Sequence, residues 1–285
     1  MIEAIKSISE AAKDEQPQDY EQDGLLYCGK CHTPKQARIT INGMVLTPFC
    51  ACKCKIEEME RQKQEREERE RIEKISKLRS VGLPEKELQS CVFENDDGST
   101  PKITDFMLRY VNKWKQVYSE NIGLILWGGV GSGKTFFAAC IANRLIDNCV
   151  SVIMTSFPKI LNDLGATSRL DKSEYIAELM RADLLIIDDL GAERKSQYSM
   201  EIVYNIIDSR DKSGKPMIIT TNLSISDIKD PEDVEQRRIY SRILKNCVPI
   251  SFKGVDKRKK QAEEKVTLIK YLLQEEKNNN GKKSQ

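Results

Sequence analysis

The chain has 285 residues, 39% of them hydrophobic, which is enough for one large domain with a buried core and a smaller second one. Its 46 lysine and arginine residues nearly balance its 44 aspartate and glutamate residues, for a net charge of +2. This balance excludes a surface that is basic all over, so any surface that binds nucleic acid must be local.

The N-terminal segment contains no apolar core of signal-peptide length. No later run approaches the roughly 18 apolar residues that a membrane helix needs. We therefore predict a cytoplasmic protein without membrane contact, whose thiols stay reduced. Residues 1–26 are predicted to be a disordered N-terminus.

Five of the nine cysteines lie within residues 27–54. A Cys-x-x-Cys pair is followed, after 18 residues, by Cys-x-Cys-x-Cys, and the intervening "RITINGMVLTPF" predicts a hairpin that turns at Asn42-Gly43. Four thiolates presented on two such arms fit a tetrahedral Zn²⁺ site, which would give a core to a segment too short to have one. We therefore predict a small zinc-binding domain over residues 27–54.

The predicted zinc ligands are Cys28, Cys31, Cys52 and Cys54. Cys50 is an alternative ligand in the second arm, since five thiols compete for four places. His32 completes a Cys-x-x-Cys-His pattern that is typical of c-type haem attachment, but a reducing compartment argues against haem. A redox pair would need a thioredoxin-like βαβ setting, which this region lacks.

Residues 55–100 begin with "KIEEMERQKQEREERERIEKISKLRS", which has strong helix formers, no glycine or proline, and charges of both signs at helical spacing. This pattern predicts an exposed helix that stops near "VGLPE". Its apolar positions are too sparse for a sustained heptad seam, so a solvated spacer is favoured over a coiled coil. We predict that residues 55–100 are a charged helical linker.

Short continuous apolar blocks then alternate with segments of helical length. A predicted helix over 101–119 precedes "IGLILWG", and similar blocks are "VSVIMTS", "ADLLIIDD" and "KPMIITTN". Such blocks are typical of strands buried on both faces of a parallel sheet. We predict an α/β domain over 101–260, a parallel sheet flanked by helices, followed by a C-terminal helix and basic tail over 261–285.

The stretch "GGVGSGKT" matches G-x-x-x-x-G-K-[ST] between a predicted strand and a predicted helix. In this setting backbone N–H groups converge on phosphate oxygens. Lys134 is expected to hold the β and γ phosphates of ATP, and Thr135 to coordinate Mg²⁺. The predicted nucleotide contacts are Gly128, Gly129, Val130, Gly131, Ser132, Gly133, Lys134, Thr135 and Phe136.

Polar side chains end two further predicted strands. Asp188 is expected to bind Mg²⁺ through a water molecule, and Asp189 to polarise the attacking water. Asn222, at the end of "IITTN", is expected to orient that water. The structural alternatives are solvation of a strand end for the two carboxylates and a turn-forming role for the amide.

Together, "GGVGSGKT", "LLIIDDLGAE", "IITTN" and "RRIYSRILKNCVPISFKGVDKR" resemble the helicase-loader ATPases of bacteria and their phages, the DnaC/DnaI type of the AAA+ superfamily. IstB-type transposition helpers are closely related to these ATPases. The resemblance extends from residue 27 to about residue 260. It implies an AAA+ P-loop core and a slow ATPase stimulated by self-assembly or DNA.

The resemblance also implies roles for individual residues. Arg242 matches the arginine finger that reaches the γ phosphate in a neighbouring subunit, and Arg238 can share this role. Arg258 is similar in placement to the sensor-2 arginine, which contacts nucleotide in its own subunit.

Family members bind single-stranded DNA inside an oligomeric spiral. The candidate DNA contacts are Arg194, Lys195 and Tyr198, because basic residues hold backbone phosphates and an aromatic ring stacks on a base. Phe157 and Lys159 are a weaker pair of the same kind.

The function implied is ATP-controlled loading of a hexameric replicative helicase onto single-stranded DNA, with a self-oligomer forming in the ATP state. The zinc domain would then bind the helicase. The alternative is an IstB-like ATPase that assists a transposase in selecting target DNA. A small-molecule kinase is disfavoured, because no lid-like arginine cluster lies between the predicted strands.

Overall fold

The computed structural model describes residues 18–166, 169–192 and 196–253, together with residues 256, 263, 265–267 and 269–270. The chain divides into two compact units, Met1–Ile72 and Glu73–Gln285. Among the described residues, no helix combines the length and the apolarity that crossing a membrane would require.

The first described element of this unit is a hairpin of two short antiparallel strands, β1 (Tyr20–Gln22) and β2 (Leu25–Tyr27). Its turn is Asp23-Gly24, and both residues have positive φ, 52° and 71°. Asp-Gly is a strong signal for such two-residue turns. The prediction that disorder extends to residue 26 is therefore wrong for the residues of this hairpin, and residues 1–17 lie outside the described part of the chain.

A second hairpin follows, formed by β3 (Ile39–Ile41) and β4 (Met44–Leu46). Asn42 and Gly43 occupy the turn with φ of 51° and 80°, and a two-residue turn with positive φ matches the right-handed twist of the flanking strands. The predicted hairpin between the two groups of cysteines is thus confirmed.

Helix α1 spans Lys53–Gly82, so it starts inside the second cysteine group and ends where the sequence predicts. Its charged side chains are exposed and pair along the helix, as Arg61 does with Glu65 at 3.6 Å. At its end, a Cβ on Gly82 would lie 1.9 Å from the Val152 carbonyl oxygen, so only glycine fits this close approach.

The residues after α1 join the core of the second unit. Helix α2 (Lys86–Gln89) and a 3₁₀ turn (Phe93–Asn95) follow, and both Leu83 and Phe93 are buried. The predicted linker, 55–100, is therefore a solvated helix only in its first part. The sequence pattern missed this because the buried residues in this stretch are isolated ones between polar neighbours.

The second unit is built on a five-stranded parallel sheet. The strands are β5 (Gly123–Gly128), β6 (Val152–Ser156), β7 (Leu184–Leu190), β8 (Met217–Thr221) and β9 (Cys247–Phe252). Their order in the sheet is β6-β7-β8-β5-β9. The first four coincide with the predicted apolar blocks. The fifth strand, β9, is not apparent from the sequence, because it contains Pro249 and has two exposed positions. Proline is tolerated there because β9 is an edge strand.

Helices cover both faces of this sheet. They are α3 (Pro101–Asn112), α4 (Trp114–Ser119), α5 (Lys134–Asp147), α6 (Phe157–Ala166), α7 (Arg169–Arg181), α8 (Gln197–Ser213), α9 (Ile225–Lys229) and α10 (Val234–Asn246). The predicted helix over 101–119 is thus divided at Lys113. The predicted C-terminal segment, 261–285, lies mostly outside the described residues, although residues 263, 265–267 and 269–270 are helical.

The strand residues alternate between two hydrophobic cores. Leu124 and Leu126 pack with α5 on one face, whereas Ile125, from the same strand, packs with α8 and α10 on the other. Burial on both faces explains why the strands are continuous apolar runs. Because the strands are parallel, their carboxyl ends lie at one edge of the sheet, and this edge carries the polar residues of the candidate site.

Candidate functional site

The phosphate loop connects β5 to α5. Gly128, the last residue of β5, has a φ of 146°, and a Cβ there would lie 2.2 Å from the Phe252 carbonyl oxygen. Gly133 has a φ of 95° and immediately precedes the first helical residue. Glycine is therefore required at both positions, and the loop ends at a helix N-terminus, where free N–H groups favour an anion.

Lys134 is buried at the start of α5, with only 5% of its surface exposed. Its Nζ donates to the carbonyl oxygens of Gly128 at 3.0 Å and Gly129 at 2.8 Å, and to Asn222 Oδ1 at 2.8 Å. The predicted phosphate-binding lysine and the predicted water-orienting amide are therefore in direct contact.

Thr135 and Asp188 also meet, as predicted for a shared Mg²⁺. The Thr135 hydroxyl donates to the Asp188 carboxylate, with distances of 2.9 Å and 3.2 Å to its two oxygens. Burial raises the pKa of Asp188, while hydrogen bonds from Thr220 and Thr135 oppose that rise. A hydroxyl and a carboxylate in contact are oxygen ligands of the kind that Mg²⁺ prefers.

Asp189 follows Asp188 but departs from regular strand geometry. Its φ is 54°, and the ladder between β7 and β8 shifts register between Ile187 and Leu190. Bulges of this kind re-aim side chains beside active sites. The Asp189 and Asn222 side chains consequently line the same pocket as the phosphate loop.

This pocket has a volume of about 310 Å³. Its lining residues are Asn95, Asp96, Asp97, Val130, Gly131, Ser132, Gly133, Lys134, Thr135, Phe136, Asp189 and Asn222. Ser132 Oγ is buried and has no hydrogen-bond partner among the described residues, so a bound phosphate would supply one. The pocket therefore suits a phosphorylated ligand.

Sequence reasoning missed the wall formed by Asn95, Asp96 and Asp97. The stretch "FENDDGSTP" indicates only a turn-rich connection, and nothing in its spacing links it to a phosphate loop some 30 residues later. In the structure the Asp96 carboxylate accepts a hydrogen bond from Thr104 at 2.7 Å, which fixes this wall to α3.

Arg242, the predicted arginine finger, does not line this pocket. It lies on α10, where its Nε donates to Asp208 at 2.9 Å and its Nη2 donates to the Tyr204 hydroxyl at 2.8 Å. Its guanidinium also lies over the Tyr204 ring, 4.7 Å from the centroid. Arg238 is exposed one helical turn earlier. Sequence analysis did not identify Tyr204 or Asp208, since both lie on another helix.

The structure describes only some of the predicted DNA contacts and does not describe the predicted sensor-2 arginine. Tyr198 is 54% exposed in the first turn of α8. Arg194, Lys195 and Arg258 lie outside the described residues. Phe157 is fully buried in the core, so its proposed contact with DNA is wrong.

The structure brings four of the five N-terminal thiols together. The Sγ atoms of Cys28, Cys31, Cys52 and Cys54 all lie within 4.8 Å of one another. Cys50 is exposed, and its Sγ lies 3.6 Å from the Pro34 carbonyl oxygen. His32 also points elsewhere, with Nδ1 3.2 Å from the Tyr20 hydroxyl. The second pair is therefore Cys52 with Cys54, and Cys50 is the thiol left over.

The donor set and its spacing fit a metal ion. Tetrahedral Zn–S bonds of about 2.3 Å would place sulfur atoms about 3.8 Å apart, and the Sγ separations are 3.6 Å for Cys28 and Cys54 and 3.4 Å for Cys52 and Cys54. A hydrogen bond with Thr33 lowers the pKa of Cys31 to about 5, whereas the neighbouring thiols, Cys52 foremost, raise the pKa of Cys54 to about 12. Ionisation of one thiol thus disfavours ionisation of its neighbours, and a bound cation would stabilise all four as thiolates.

The family to which the chain belongs is shown by its similarity to known proteins. The family model of IstB-like ATP binding proteins matches residues 52–265, about three quarters of the chain. The chain belongs to the family of IstB-like ATP binding proteins. The contacts of the phosphate loop with Asp188 and Asn222 agree with the ATP binding that the family is named for.

The chain is also similar to proteins of known name. It is 26% identical over 188 residues to "Replicative helicase loader DnaI" of Bacillus subtilis, covering 61% of this chain and 60% of that protein. It is 28% identical over 147 residues to "Replicative helicase loader DnaC" of Escherichia coli K12, covering 49% and 58%. The similarity therefore spans about 60% of the length of these curated relatives.

A crystal structure of DnaI has a similar fold, with a TM-score of 0.51 and 26% identity. It covers 62% of this chain and 95% of the DnaI chain in that crystal. The predicted AAA+ P-loop core and the resemblance to the DnaC/DnaI type are thus confirmed.

Proposed function

We propose that this protein is an ATP-controlled loader that places a hexameric replicative helicase on single-stranded DNA in the cytoplasm. The observation that carries the proposal is the convergence of Lys134, Thr135, Asp188 and Asn222 at the carboxyl edge of the sheet. The names of the similar proteins, DnaI and DnaC, support the helicase as partner.

Nucleotide binding and hydrolysis are assigned to separate groups. The phosphate loop and Lys134 bind the phosphates of ATP, and Mg²⁺, held by Thr135 and Asp188, would neutralise the charge that develops on them. Asp189 holds the attacking water and accepts its proton, and Asn222 orients that water. Asp189 is shorter than the glutamate that often fills this place, so hydrolysis is slow and acts as a switch.

The positive charge that stabilises the γ phosphate during hydrolysis comes from Arg242 of a neighbouring copy of the chain. Arg242 is outside the pocket of its own chain and is fixed on α10 by Tyr204 and Asp208. A guanidinium held this way presents a fixed charge to a phosphate across a subunit interface. ATP bound at such interfaces favours the self-oligomer. Arg258 contacts the nucleotide within its own subunit.

The N-terminal thiols form a structural zinc site, and the domain around it binds the helicase. Zinc suits the four clustered thiols because all four positions are filled by protein ligands, as in structural rather than catalytic sites. Single-stranded DNA is bound by Arg194, Lys195 and Tyr198, which follow β7 in the sequence. Tyr198 is exposed, as stacking on a base requires.

Helping a transposase to select target DNA is the alternative function. The match to IstB-like proteins favours it to the extent that both functions use the same ATPase core. That match begins at residue 52 and so leaves Cys28 and Cys31 before it. We favour the loader because its relatives are named for helicase loading and because the thiol cluster supplies a separate partner-binding module.

Two measurements test the proposal. ATP hydrolysis is measured with and without single-stranded DNA, and binding to a panel of purified hexameric replicative helicases is measured at micromolar concentration. We expect hydrolysis that Lys134→Ala abolishes, and capture of a helicase by the wild type that Cys28→Ser weakens. Hydrolysis without capture of any helicase would instead support the transposase helper.

A further inference from the structure

A buried hydroxyl on β8 links the two acidic residues of the site. Thr220 has no exposed surface. Its hydroxyl lies 2.5 Å from Asp188 Oδ1 and also accepts the backbone N–H of Asp189 at 2.9 Å. Because an amide can only donate, the hydroxyl proton is free to donate to the carboxylate. Thr220 therefore accepts a hydrogen bond from the Asp189 backbone and donates one to the Asp188 carboxylate at the same time.

The position of Thr220 in the sheet explains why it can do so. Ile187 pairs with Ile219, and Leu190 pairs with Thr221, so two residues of β7 lie opposite Thr220 alone. At this bulge the Asp189 N–H donates to the Thr220 side chain. A hydroxyl can satisfy a backbone donor in this way where the regular ladder is interrupted.

The bulge matters because consecutive strand residues normally point to opposite faces of a sheet. Asp189 has a φ of 54°, a conformation that costs a non-glycine residue free energy and persists only where its surroundings enforce it. The hydrogen bond from its N–H to Thr220 is one such constraint. Without it, we expect the strand end to relax and the Asp189 carboxylate to move away from the pocket.

The same hydroxyl also constrains Asp188. Thr135 donates to the carboxylate from α5 and Thr220 donates to it from β8, so the carboxylate is held from two sides. Removing a group that holds a metal-binding carboxylate in place typically lowers metal affinity or activity about 10- to 100-fold.

We propose that Thr220 is a positioning residue that sets the Asp188 carboxylate for Mg²⁺ and, through the Asp189 backbone, the group that acts on the attacking water. This inference rests on the proposed ATPase function. It assigns no contact between Thr220 and the nucleotide itself, so its effects should appear in the dependence on Mg²⁺ and in kcat, not in binding of metal-free nucleotide.

The test compares Thr220→Val, which keeps the shape and removes the hydroxyl, with Thr220→Ser, which keeps the hydroxyl. Thr221→Val is the matched control. Thr221 is equally buried on the same strand, but its hydroxyl donates to the Leu190 carbonyl oxygen at 2.7 Å and reaches neither carboxylate. Thermal unfolding of all variants identifies any that do not fold, and Thr220→Ala provides a second variant without the hydroxyl.

Fluorescent ATP binding is titrated with Mg²⁺ and in EDTA, and steady-state hydrolysis is measured in parallel. We expect Thr220→Val to raise the half-saturating Mg²⁺ concentration and to lower kcat, each about tenfold or more. Binding in EDTA should be unchanged, and Thr220→Ser should recover most of the loss. Equal effects of Thr220→Val and Thr221→Val, or no effect of Thr220→Val on the Mg²⁺ titration, would overturn the proposal.

The titration also separates this inference from the proposed function. If the wild type binds nucleotide but hydrolyses none, the ATPase proposal fails. The Mg²⁺ dependence of binding then still tests whether Thr220 positions Asp188.

Discussion

Lys134 Nζ donates to Asn222 Oδ1 at 2.8 Å, which joins the phosphate loop to the end of β8. The lysine is buried and also donates to two carbonyl oxygens of its own loop, so oxygen atoms of the protein surround its charge. A bound phosphate would compete for the same N–H groups. In the function proposed above, phosphate binding would then release the Asn222 amide to interact with the attacking water.

Asn222→Ala should therefore separate binding from hydrolysis. Removing the amide takes one partner from Lys134 but leaves its bonds to Gly128 and Gly129, so nucleotide affinity should change by no more than about threefold. Hydrolysis should fall about a hundredfold, the scale of losing a group that handles the attacking water. Steady-state kinetics with a separate nucleotide-binding titration measure both effects. A large loss of affinity with normal kcat would show that Asn222 serves mainly to hold Lys134.

Arg242→Ala should abolish hydrolysis while leaving nucleotide binding intact, because this side chain is outside the pocket of its own chain. The matched control is Lys245→Ala on the same helix, whose ion pair with Asp211 at 2.9 Å is largely solvent-exposed on the lysine side. We expect a decrease of at least about a hundredfold for Arg242→Ala and little change for the control.

Mixing two inactive variants tests whether Arg242 acts on a neighbouring copy. The Lys134→Ala chain still has Arg242, and the Arg242→Ala chain still has an intact nucleotide site. Where the two chains meet in the right order, the interface therefore contains both an intact nucleotide site and the arginine. Mixtures should regain part of the wild-type activity. Mixtures as inactive as either variant alone would place Arg242 in a role within its own chain, such as holding Tyr204 and Asp208 together.

Metal binding by the N-terminal thiols is tested by elemental analysis of the purified protein. We expect one zinc per chain in the wild type and in Cys50→Ser, since Cys50 lies outside the cluster. Cys28→Ser should lose most of its zinc, because serine does not replace a thiolate in such a site. Loss of zinc in Cys50→Ser together with retention in Cys54→Ser would reverse the assignment of the second pair.

The sequence predicts those site residues whose positions follow from the order of strands, loops and helices along the chain. A strand, a glycine-rich loop and a helix follow one another directly, so Lys134 and Thr135 could be assigned a role from the sequence. Asp188 and Asn222 each end an apolar block, and parallel strands bring such ends to one edge.

Residues whose role depends on a neighbour from another element could not be found in the same way. Thr220 matters because a bulge places Asp188 and Asp189 opposite it, and no pattern in "IITTN" shows this. Asp96 joins the pocket wall through packing of a turn-rich segment. The fifth strand was missed because Pro249 is acceptable only at a sheet edge, and strand order is not visible in one sequence.

Arg210 offers a test of the core that does not depend on catalysis. It lies on α8 with no exposed surface, and its guanidinium donates to backbone carbonyl oxygens near the amino ends of β7 and β8. The acceptors are Met180, Ala182, Asp183 and Pro216, at 2.7 to 3.4 Å. Burial lowers the pKa of Arg210 to about 10, so the group stays charged at neutral pH.

Arg210→Met should destabilise the second unit by about 3 kcal/mol, because it removes a buried charged donor and takes from the Ala182 and Asp183 carbonyl oxygens the hydrogen bonds that Arg210 gives them. The Met180 and Pro216 carbonyl oxygens keep Lys215 and Leu185 as donors. Arg210→Lys should lose less stability than Arg210→Met but should remain less stable than the wild type. A single ammonium group cannot reach all the acceptors that the planar guanidinium contacts. Arg181→Ala is the control, because its ion pair with Glu174 is exposed on both sides and should contribute at most about 1 kcal/mol. Urea unfolding followed by circular dichroism measures all three variants. If Arg210→Met unfolds at the wild-type urea concentration, water must replace the guanidinium at these carbonyl oxygens, and the buried charge is then dispensable for the fold.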